Sequence, residues 1–303
     1  MHTTDNRDVP QPAIAPRLPA SVRLDRHPGG LDRLIIDAPA ASAVIYLQGA
    51  HVASWAPAGA DDVLWVSARS AFAPGAPIRG GVPLCYPWFG PHPTDSDAPL
   101  HGFARTALWA LERAEEHDGG VTLTFALDTS SIPGAAVDTR LRYTVSVGAE
   151  LGLALQVTNA GPDPIVAQEA FHTYLAAGDV RRVSLRGLES ATSLDRLTGE
   201  PLPAPGGPVT LRGETDRLFA QPGTIHVEDP AGARSVTVRA DGSANAVVWN
   251  PGPAKAAAMP DFGDDEWTAM LCVETCNVAD GSVSLAPGAS HAMAATLSVS
   301  PLA

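Results

Sequence analysis

The chain has 303 residues, of which 45% are hydrophobic, and its formal net charge at pH 7 is -13. This composition provides for a large core, while the negative charge disfavours nucleic acid and anionic membranes as partners, because the field of the whole protein repels both. Residues 1–20 are polar and proline-rich without the order of a signal peptide, and no apolar run reaches the roughly 18 residues of a membrane helix. We therefore expect a flexible leader over 1–20, one domain over 21–303 and a cytoplasmic protein.

An apolar loop rich in glycine and proline carries a single charged residue. Residues 77–91 read PIRGGVPLCYPWFGP, with Arg79 as the only charge, and the nearby HGFAR segment adds His101 and Arg105. A guanidinium group in stiff, apolar surroundings is costly to desolvate unless an anion meets it. The pattern predicts a small pocket for an anionic ligand. The structural alternative, arginines that bond loop carbonyl groups near glycine and proline turns, is equally common.

Most of the remaining chain has the periodicity of strands. Residues 108–116 fit either a short helix or a strand, but 121–127, 140–147, 151–157 and 235–239 alternate apolar and polar residues. A period of two buries one face of an antiparallel strand and leaves the other in water. With 28 glycines and 28 prolines available for turns, the sequence predicts an all-β fold, a sandwich of large antiparallel sheets.

A histidine and a glutamate stand out in two apolar segments. His172 follows the apolar run 165–170 near a predicted strand end, and Glu274 is the only charge within 270–278. Histidine titrates close to neutral pH, and burial raises the pKa of a carboxyl group, so both residues suit acid–base catalysis. The structural alternatives are a core histidine with satisfied hydrogen bonds and a glutamate on an edge strand that faces water.

The cysteines and the absent motifs restrict the chemistry. Cys85, Cys272 and Cys276 are too few for a disulfide framework, and their neighbours lack the thiol–imidazole spacing of a zinc site. The sequence also contains no Walker-type loop, no GxGxxG and no GxSxG. We therefore expect no metal and no nucleotide cofactor.

Seven segments, taken together and in this order, carry a resemblance to a known family. They are 48–55, 77–90, 101–105, 171–174, 214–216, 247–251 and 272–275. They resemble the hexose-6-phosphate mutarotases (glucose-6-phosphate 1-epimerases) of the aldose 1-epimerase superfamily, and they extend over nearly the whole chain after the leader. The resemblance implies a galactose mutarotase-like β-supersandwich, in agreement with the strand pattern.

The resemblance also implies a role for each matching residue. His172 corresponds to the general acid that protonates the ring oxygen, and Glu274 corresponds to the general base on the anomeric hydroxyl. Arg79 and Arg105 correspond to arginines that hold the substrate phosphate. Asp216 corresponds to an aspartate that bonds sugar hydroxyls, although its loop-like context is equally typical of a solvated turn residue.

Three more positions near these motifs bear on the ligand. His101 resembles an accessory substrate-binding histidine of the wider superfamily. Leu100, just before it, stands where some relatives have glutamine. Trp249 lies at a predicted strand end before a proline turn, where an indole either stacks on a sugar face or belongs to the core.

These assignments predict an isomerase that interconverts the α and β anomers of a hexose 6-phosphate, with glucose 6-phosphate as the expected substrate. We expect a monomer that needs no cofactor and has a small-molecule sugar phosphate as its partner. Two alternatives remain open, an epimerase of unphosphorylated aldoses and a non-catalytic sugar-phosphate-binding protein on the same fold. The presence of both His172 and Glu274 argues against the second, because binding alone does not need an acid–base pair.

Overall fold

The computed structural model of the protein describes residues 16–132, 135, 137–220 and 222–302. Residues 1–15 of the expected leader lie outside this part of the chain. Within the described ranges, none of the helices has the length and apolar character needed to cross a membrane.

The described residues form strands joined by tight turns and very few helical turns. In chain order, the first strands are β1 (Val22–Arg26), β2 (Asp32–Ala38), β3 (Ala41–Tyr46), β4 (His51–Pro57), β5 (Leu84–Cys85), β6 (Ala110–His117), β7 (Gly120–Asp128), β8 (Thr139–Val147), β9 (Leu151–Asn159), β10 (Ile165–Ala167), β11 (Glu169–Phe171) and β12 (Tyr174–Ala176). The later strands are β13 (Ser184–Arg186), β14 (Ser193–Asp195), β15 (Pro201–Leu202), β16 (Val209–Thr210), β17 (Thr215–Ala220), β18 (Ile225–Asp229), β19 (Arg234–Asp241), β20 (Asn245–Asn250), β21 (Met270–Asn277), β22 (Val283–Leu285) and β23 (Ser290–Pro301). The helical segments are α1 (Gly252–Ala258) and the 3₁₀ turns Thr129–Ser131, Val180–Arg182, Glu266–Ala269 and Ala279–Gly281.

The strands assemble into large antiparallel sheets. A nine-stranded sheet has the order β16-β13-β18-β19-β23-β9-β8-β7-β6. An eight-stranded sheet has the order β15-β14-β17-β20-β21-β11-β5, with β12 also paired to β21. A four-stranded meander, β1-β2-β3-β4, and the pair β10-β22 complete the fold. The predicted all-β sandwich of antiparallel sheets is confirmed.

The segments with the clearest alternation are strands in the structure. The predicted runs become β7, β8, β9 and β19, and their apolar residues face the core. Residues 108–116, which fitted a helix or a strand, form most of β6, which pairs with β7 across a bulge between Leu111 and Arg113. The short helix α1 was not predicted, because seven residues show too little of the helical period to be recognised.

The eight-stranded sheet is buried on both faces at its centre, and this arrangement positions the candidate site. All residues of β20 and β21 are buried. One face packs on the nine-stranded sheet, where the rings of Phe171 and Tyr143 lie 5.8 Å apart. The other face carries a second apolar cluster that includes Trp249, Cys272 and Phe262. Glu274 projects from this second face, since it lies two residues from Cys272 on the same strand.

Two glycines in the sequence motifs allow close backbone contacts beneath the site. Gly81 has φ +62, and a Cβ atom there would lie 2.7 Å from His51 Nε2 and collide with the carbonyl oxygen of Val52. Gly102 has φ +73, and its Cβ would collide with the carbonyl oxygen of Tyr86. Only glycine satisfies both the left-handed backbone and the lack of space. The Arg79 loop and the HGFAR segment are thereby held against the body of the protein.

Candidate active site

Strand register brings His172 and Glu274 together. Phe171 pairs with Thr275 and Tyr174 pairs with Cys272, so the residue after β11 lies beside Glu274 of β21. His172 Nε2 and Glu274 Oε1 are 3.5 Å apart. Glu274 is 1% exposed and lies on a central strand of its sheet. The alternative of an edge-strand glutamate that faces water is therefore wrong.

The imidazole of His172 is held between aromatic rings. The ring stacks on Tyr174 at 4.8 Å with an interplanar angle of 8°, and it meets His101 and Trp249 edge to face. Its backbone N–H donates to the carbonyl oxygen of Pro83 at 3.0 Å. Stacking fixes the plane of the ring, so its nitrogen atoms keep a defined direction toward Glu274.

Each member of the pair keeps one buried polar atom without a hydrogen-bond partner among the described residues. These atoms are Nδ1 of His172 and Oε2 of Glu274. His172 does not fit a core histidine whose hydrogen bonds are satisfied by its neighbours. Because buried polar groups are almost always hydrogen-bonded, unpaired atoms on two neighbouring side chains point to a site that a ligand completes.

Burial favours the uncharged form of both groups. Burial raises the pKa of the Glu274 carboxyl well above its usual value, and the negative charge of Asp216 raises it further, while Arg196 opposes the shift. Burial lowers the pKa of His172 well below its usual value, helped by His101, Arg105 and Arg79. At a separation of 3.5 Å the two groups are close enough for the charge of one to affect the titration of the other.

Arg79 lies on the same side of the sheet and is fixed by a carboxylate and a phenol. Its Nε donates to Asp261 Oδ2 at 3.1 Å, its Nη2 to Asp261 Oδ1 at 3.3 Å, and its Nη1 to the Tyr174 hydroxyl at 3.1 Å. The guanidinium has five N–H groups, so each terminal nitrogen keeps one N–H for a ligand. Arg79 is thus connected to His172 by way of Tyr174, whose ring stacks on the imidazole.

Arg105 and His101 lie close to the pair. Arg105 Nη2 donates to the carbonyl oxygen of Leu100 at 2.7 Å, and within the described residues no carboxylate lies within 4.0 Å of its guanidinium. His101 accepts a hydrogen bond on Nδ1 from the backbone N–H of Gly90 at 3.2 Å, so its Nε2 carries the proton in the neutral ring. Burial and the charges of Arg105, Arg196 and Arg79 lower the pKa of His101 to about 3.

Asp216 is held by an arginine that the sequence motifs did not point to. Arg196 Nη1 donates to Asp216 Oδ1 at 3.1 Å. The Arg196 guanidinium also lies 4.8 Å from the centre of the Phe89 ring, in a cation–π contact. Burial raises the pKa of Asp216, and Arg196 opposes this shift. The other oxygen of Asp216 remains available to a ligand.

One group of side chains at the site has the spacing of metal ligands. Potential ligand atoms of His172, Cys272 and Glu274 lie within 4.8 Å of one another. Burial raises the pKa of the Cys272 thiol well above its usual value, so this sulfur keeps its proton. The positive charges of Arg79 and Arg196 act on Cys272 and Glu274 respectively and disfavour a cation there. These three side chains therefore fit a metal ion poorly.

Residues 32–298 match the sequence profile of the family described as aldose 1-epimerase. The chain belongs to the aldose 1-epimerase family. A Salmonella typhimurium protein named "Putative glucose-6-phosphate 1-epimerase" is 35% identical over 255 residues, which cover 81% of this chain and 83% of the relative. A protein of the same name from Cenchrus ciliaris is 33% identical over 279 residues, covering 88% of this chain and 84% of the relative.

Solved structures agree with the family assignment. The crystal structure described as a "putative mutarotase" from Salmonella typhimurium superposes with a TM-score of 0.86 and 32% identity, and it covers 95% of this chain and 97% of that chain. The β-supersandwich expected from the resemblance is the fold of this aldose 1-epimerase family member.

All six candidate residues from the sequence lie around one region of this family member's eight-stranded sheet. They are His172, Glu274, Arg79, Arg105, Asp216 and His101. Trp249, for which two roles were open, is 9% exposed and lines the region edge-on to His172. Arg196, Asp261 and Tyr174 were missed as partners. Each acts on a residue distant in sequence, and only the register of the fold brings them together.

Proposed function

We propose that the protein interconverts the α and β anomers of a hexose 6-phosphate by acid–base catalysis, with glucose 6-phosphate as the substrate. The observation that carries the proposal is the buried His172–Glu274 pair, 3.5 Å apart, with the guanidinium groups of Arg79, Arg105 and Arg196 around it. The names of the Salmonella typhimurium and Cenchrus ciliaris relatives support the same substrate.

The reaction needs two proton transfers, one at the anomeric hydroxyl and one at the ring oxygen, and both oxygens are bonded to C1. Ionised Glu274 takes the proton from the anomeric hydroxyl while protonated His172 gives a proton to the ring oxygen, and the bond between C1 and the ring oxygen breaks to leave an aldehyde. Rotation about the C1–C2 bond turns the other face of the carbonyl toward the ring-forming hydroxyl. His172 then takes the proton from that hydroxyl as it attacks C1, and Glu274 returns its proton to the anomeric oxygen. Each positioned group contributes roughly 10²- to 10⁴-fold to the rate.

The electrostatics of the pair suit this cycle. In the reactive form of the closed-ring complex the pair is charged, as carboxylate and imidazolium, and ring opening converts it to carboxylic acid and imidazole. The pair holds one proton in both states, so the cycle exchanges no proton with solvent. Burial favours the neutral pair over the charged pair. The free energy needed to pass from the charged pair with the closed ring to the neutral pair with the open chain is therefore smaller than it would be in water.

Arg79 and Arg105 are proposed to bind the phosphate. Arg105 has no carboxylate partner among the described residues, and Arg79 keeps two N–H groups after pairing with Asp261 and Tyr174. Charge-assisted hydrogen bonds from guanidinium to phosphate fix the sugar without touching C1. His101 and Asp216 are proposed to bind the sugar hydroxyls.

Replacement of Glu274 by Gln tests the chemistry. We expect exchange between the anomers of glucose 6-phosphate, measured by NMR exchange spectroscopy above the uncatalysed rate, to fall by roughly 10²- to 10⁴-fold. Folding and binding of glucose 6-phosphate, followed by circular dichroism and calorimetry, should persist. The control is Glu112→Gln, since Glu112 pairs with Arg142 on the surface of the nine-stranded sheet. Retained turnover in the Glu274 variant would remove the base from the proposal.

The same experiment addresses the alternatives. Binding without acceleration of any sugar by the wild-type protein would favour the non-catalytic binding protein. The single domain over 21–303, the leader over 1–20, the monomeric state and the cytoplasmic location stay predictions of the sequence.

A further inference from the structure

We propose that Arg196 is a positioning residue that orients Asp216 and offsets its negative charge, so that Glu274 can lose its proton beside a second carboxylate. The proposal rests on the proposed function, because it assigns Glu274 as the base. Arg196 carries no role in the sequence motifs described above. It acts through Asp216 and Glu274 and does not need to touch the reacting atoms.

The contacts of Arg196 fix its guanidinium in one place. Its backbone N–H donates to the carbonyl oxygen of Asp216 at 2.8 Å, directly after β14, and its Nη1 donates to Asp216 Oδ1 at 3.1 Å. The other side of the guanidinium covers the Phe89 ring at 4.8 Å. Phe89 in turn meets the His101 ring edge to face at 4.8 Å. Backbone, carboxylate and aromatic contacts together leave the side chain little freedom.

The sheet places Asp216 and Glu274 on the same face. Asp216 pairs with Trp249, which pairs with Cys272, and Glu274 lies two residues farther along β21. Both carboxyl groups therefore project into the same apolar region, and Glu274 is almost completely buried. Two carboxylates in such a place resist joint ionisation, because each disfavours the charge of the other. A cation that pairs with one of them removes this obstacle.

Arg196 is suitably placed to be that cation. Arg79 is engaged by Asp261, and Arg105 donates to the carbonyl oxygen of Leu100. Within the described residues, Arg196 is the only cation within 4.0 Å of Asp216. The charge of Arg196 also lowers the pKa of Asp216 and Glu274 against the effect of burial. Two other charges act on Asp216: Lys255, which is itself paired with Glu214, lowers its pKa, and Asp195 raises it.

The proposal predicts a displacement of the pH profile. Without the charge of Arg196, both macroscopic pKa values of the His172–Glu274 pair rise, so the whole bell-shaped profile of kcat/KM moves to higher pH. A shift of about one pH unit corresponds to roughly tenfold lower kcat/KM on the acidic side. A purely structural role for Arg196 would lower the profile without moving it along the pH axis.

Three variants test this prediction in the full-length protein. Arg196→Met removes the charge and keeps a side chain that packs on Phe89, whereas Arg196→Lys restores a charge. Arg212→Met removes an exposed arginine that does not contact Asp216. We expect Arg196→Met to shift the kcat/KM profile for glucose 6-phosphate by about one pH unit, Arg196→Lys to recover most of the shift, and Arg212→Met to leave it unchanged.

A second measurement separates this proposal from the proposed function. The pKa values of Asp216 and Glu274, followed by carbon NMR of labelled carboxyl groups, should rise in Arg196→Met and not in Arg212→Met. An unmoved pH profile and unmoved carboxyl titrations in Arg196→Met would overturn the role of Arg196. If the carboxyl titrations shift in Arg196→Met but the wild-type protein accelerates no anomer exchange, the role of Arg196 is retained and the proposed function is wrong.

Discussion

At the scale of single residues, Arg79 illustrates how the protein holds a partly buried guanidinium in one direction. Its pairing with Asp261 and Tyr174 occupies three of its five N–H groups and sets the direction of the other two. The opposite charge of Asp261 offsets the cost of partly burying the guanidinium before a ligand arrives. The group is therefore preorganised, and binding need not order a free side chain.

Replacement of Arg79 by Ala should separate binding from chemistry. We expect KM for glucose 6-phosphate to rise by roughly 10- to 100-fold, since a hydrogen bond to a charged group contributes about 1.5–3 kcal/mol, with a much smaller change in kcat. Anomer exchange followed against substrate concentration provides both constants.

The control for this variant is Arg113→Ala, whose exposed arginine pairs with Glu115 on β6. It should leave KM unchanged. An equal loss of activity toward free glucose in Arg79→Ala would show that Arg79 does not act on the phosphate.

Site residues could be predicted from the sequence where a charged residue stands alone in an apolar segment. Arg79 and Glu274 were recognised because each is the only charge in an apolar segment. Arg196 and Asp261 have no such contrast, since each lies among other polar residues. Their significance depends on partners 20 and 182 positions away in the chain, and no local pattern encodes those contacts.

At the scale of secondary structure, a buried polar cluster ties strands from both large sheets together. His291 on β23 lies 3.1 Å from Glu169 Oε1 on β11, and Asn277 at the end of β21 donates to the same oxygen at 2.9 Å. His291 Nε2 also lies 3.0 Å from the carbonyl oxygen of Gly242. The hydrogen bond to Glu169 raises the pKa of His291 above its usual value.

This cluster should make stability depend on pH near neutrality. The pKa of His291 is higher in the folded than in the unfolded chain, so its stabilising contribution is complete below the unfolded value of about 6.5. The contribution is lost as pH rises through the folded pKa. The free energy of unfolding from urea titrations should therefore fall above about pH 6.5 more steeply in the wild type than in His291→Gln.

An exposed histidine provides the comparison. His226 bonds Thr237 on the surface of the nine-stranded sheet, and His226→Gln should keep the wild-type dependence. If the free energies of unfolding of the wild type and His291→Gln differ by a constant amount over this pH range, the pH dependence does not arise from His291.

Strand prediction succeeded where an element was long and buried on one face. Segments such as β8 and β9 show the alternation over nine residues each. Strands of two or three residues, such as β5 and β11, are too short to show a period, yet they carry the loops of the site. The continuous burial of β21 also removes alternation, because both of its faces are covered.

At the scale of the whole molecule, the eight-stranded sheet is shared between the core and the site. One face packs against the nine-stranded sheet and the other carries the His172–Glu274 pair, so the position of Glu274 depends on the main core. We expect the two large sheets to unfold together, with far-ultraviolet circular dichroism and tryptophan fluorescence giving coincident transitions.

Phe171→Ala tests this coupling. Phe171 is fully buried between the sheets beside Tyr143, and its truncation should cost about 3–5 kcal/mol of unfolding free energy. Both spectroscopic transitions should move by the same amount. Val166→Ala, at a position that is 68% exposed, should change stability by no more than about 0.5 kcal/mol. A shift confined to one probe would show that the sheets unfold separately.

The net negative charge of the molecule opposes the binding of a phosphorylated sugar. With a net charge of -13, the protein repels anions at long range, and only the local cations at the site favour a phosphate. The most direct test of selectivity for the phosphorylated sugar, and of the proposed catalysis, is wild-type anomer exchange with glucose 6-phosphate, free glucose and galactose, measured side by side by NMR exchange spectroscopy. We expect kcat/KM for glucose 6-phosphate to exceed that for either free sugar by at least about 100-fold, as two charge-assisted contacts provide. Equal acceleration of free and phosphorylated sugars, or acceleration of free sugar alone, would contradict this selectivity.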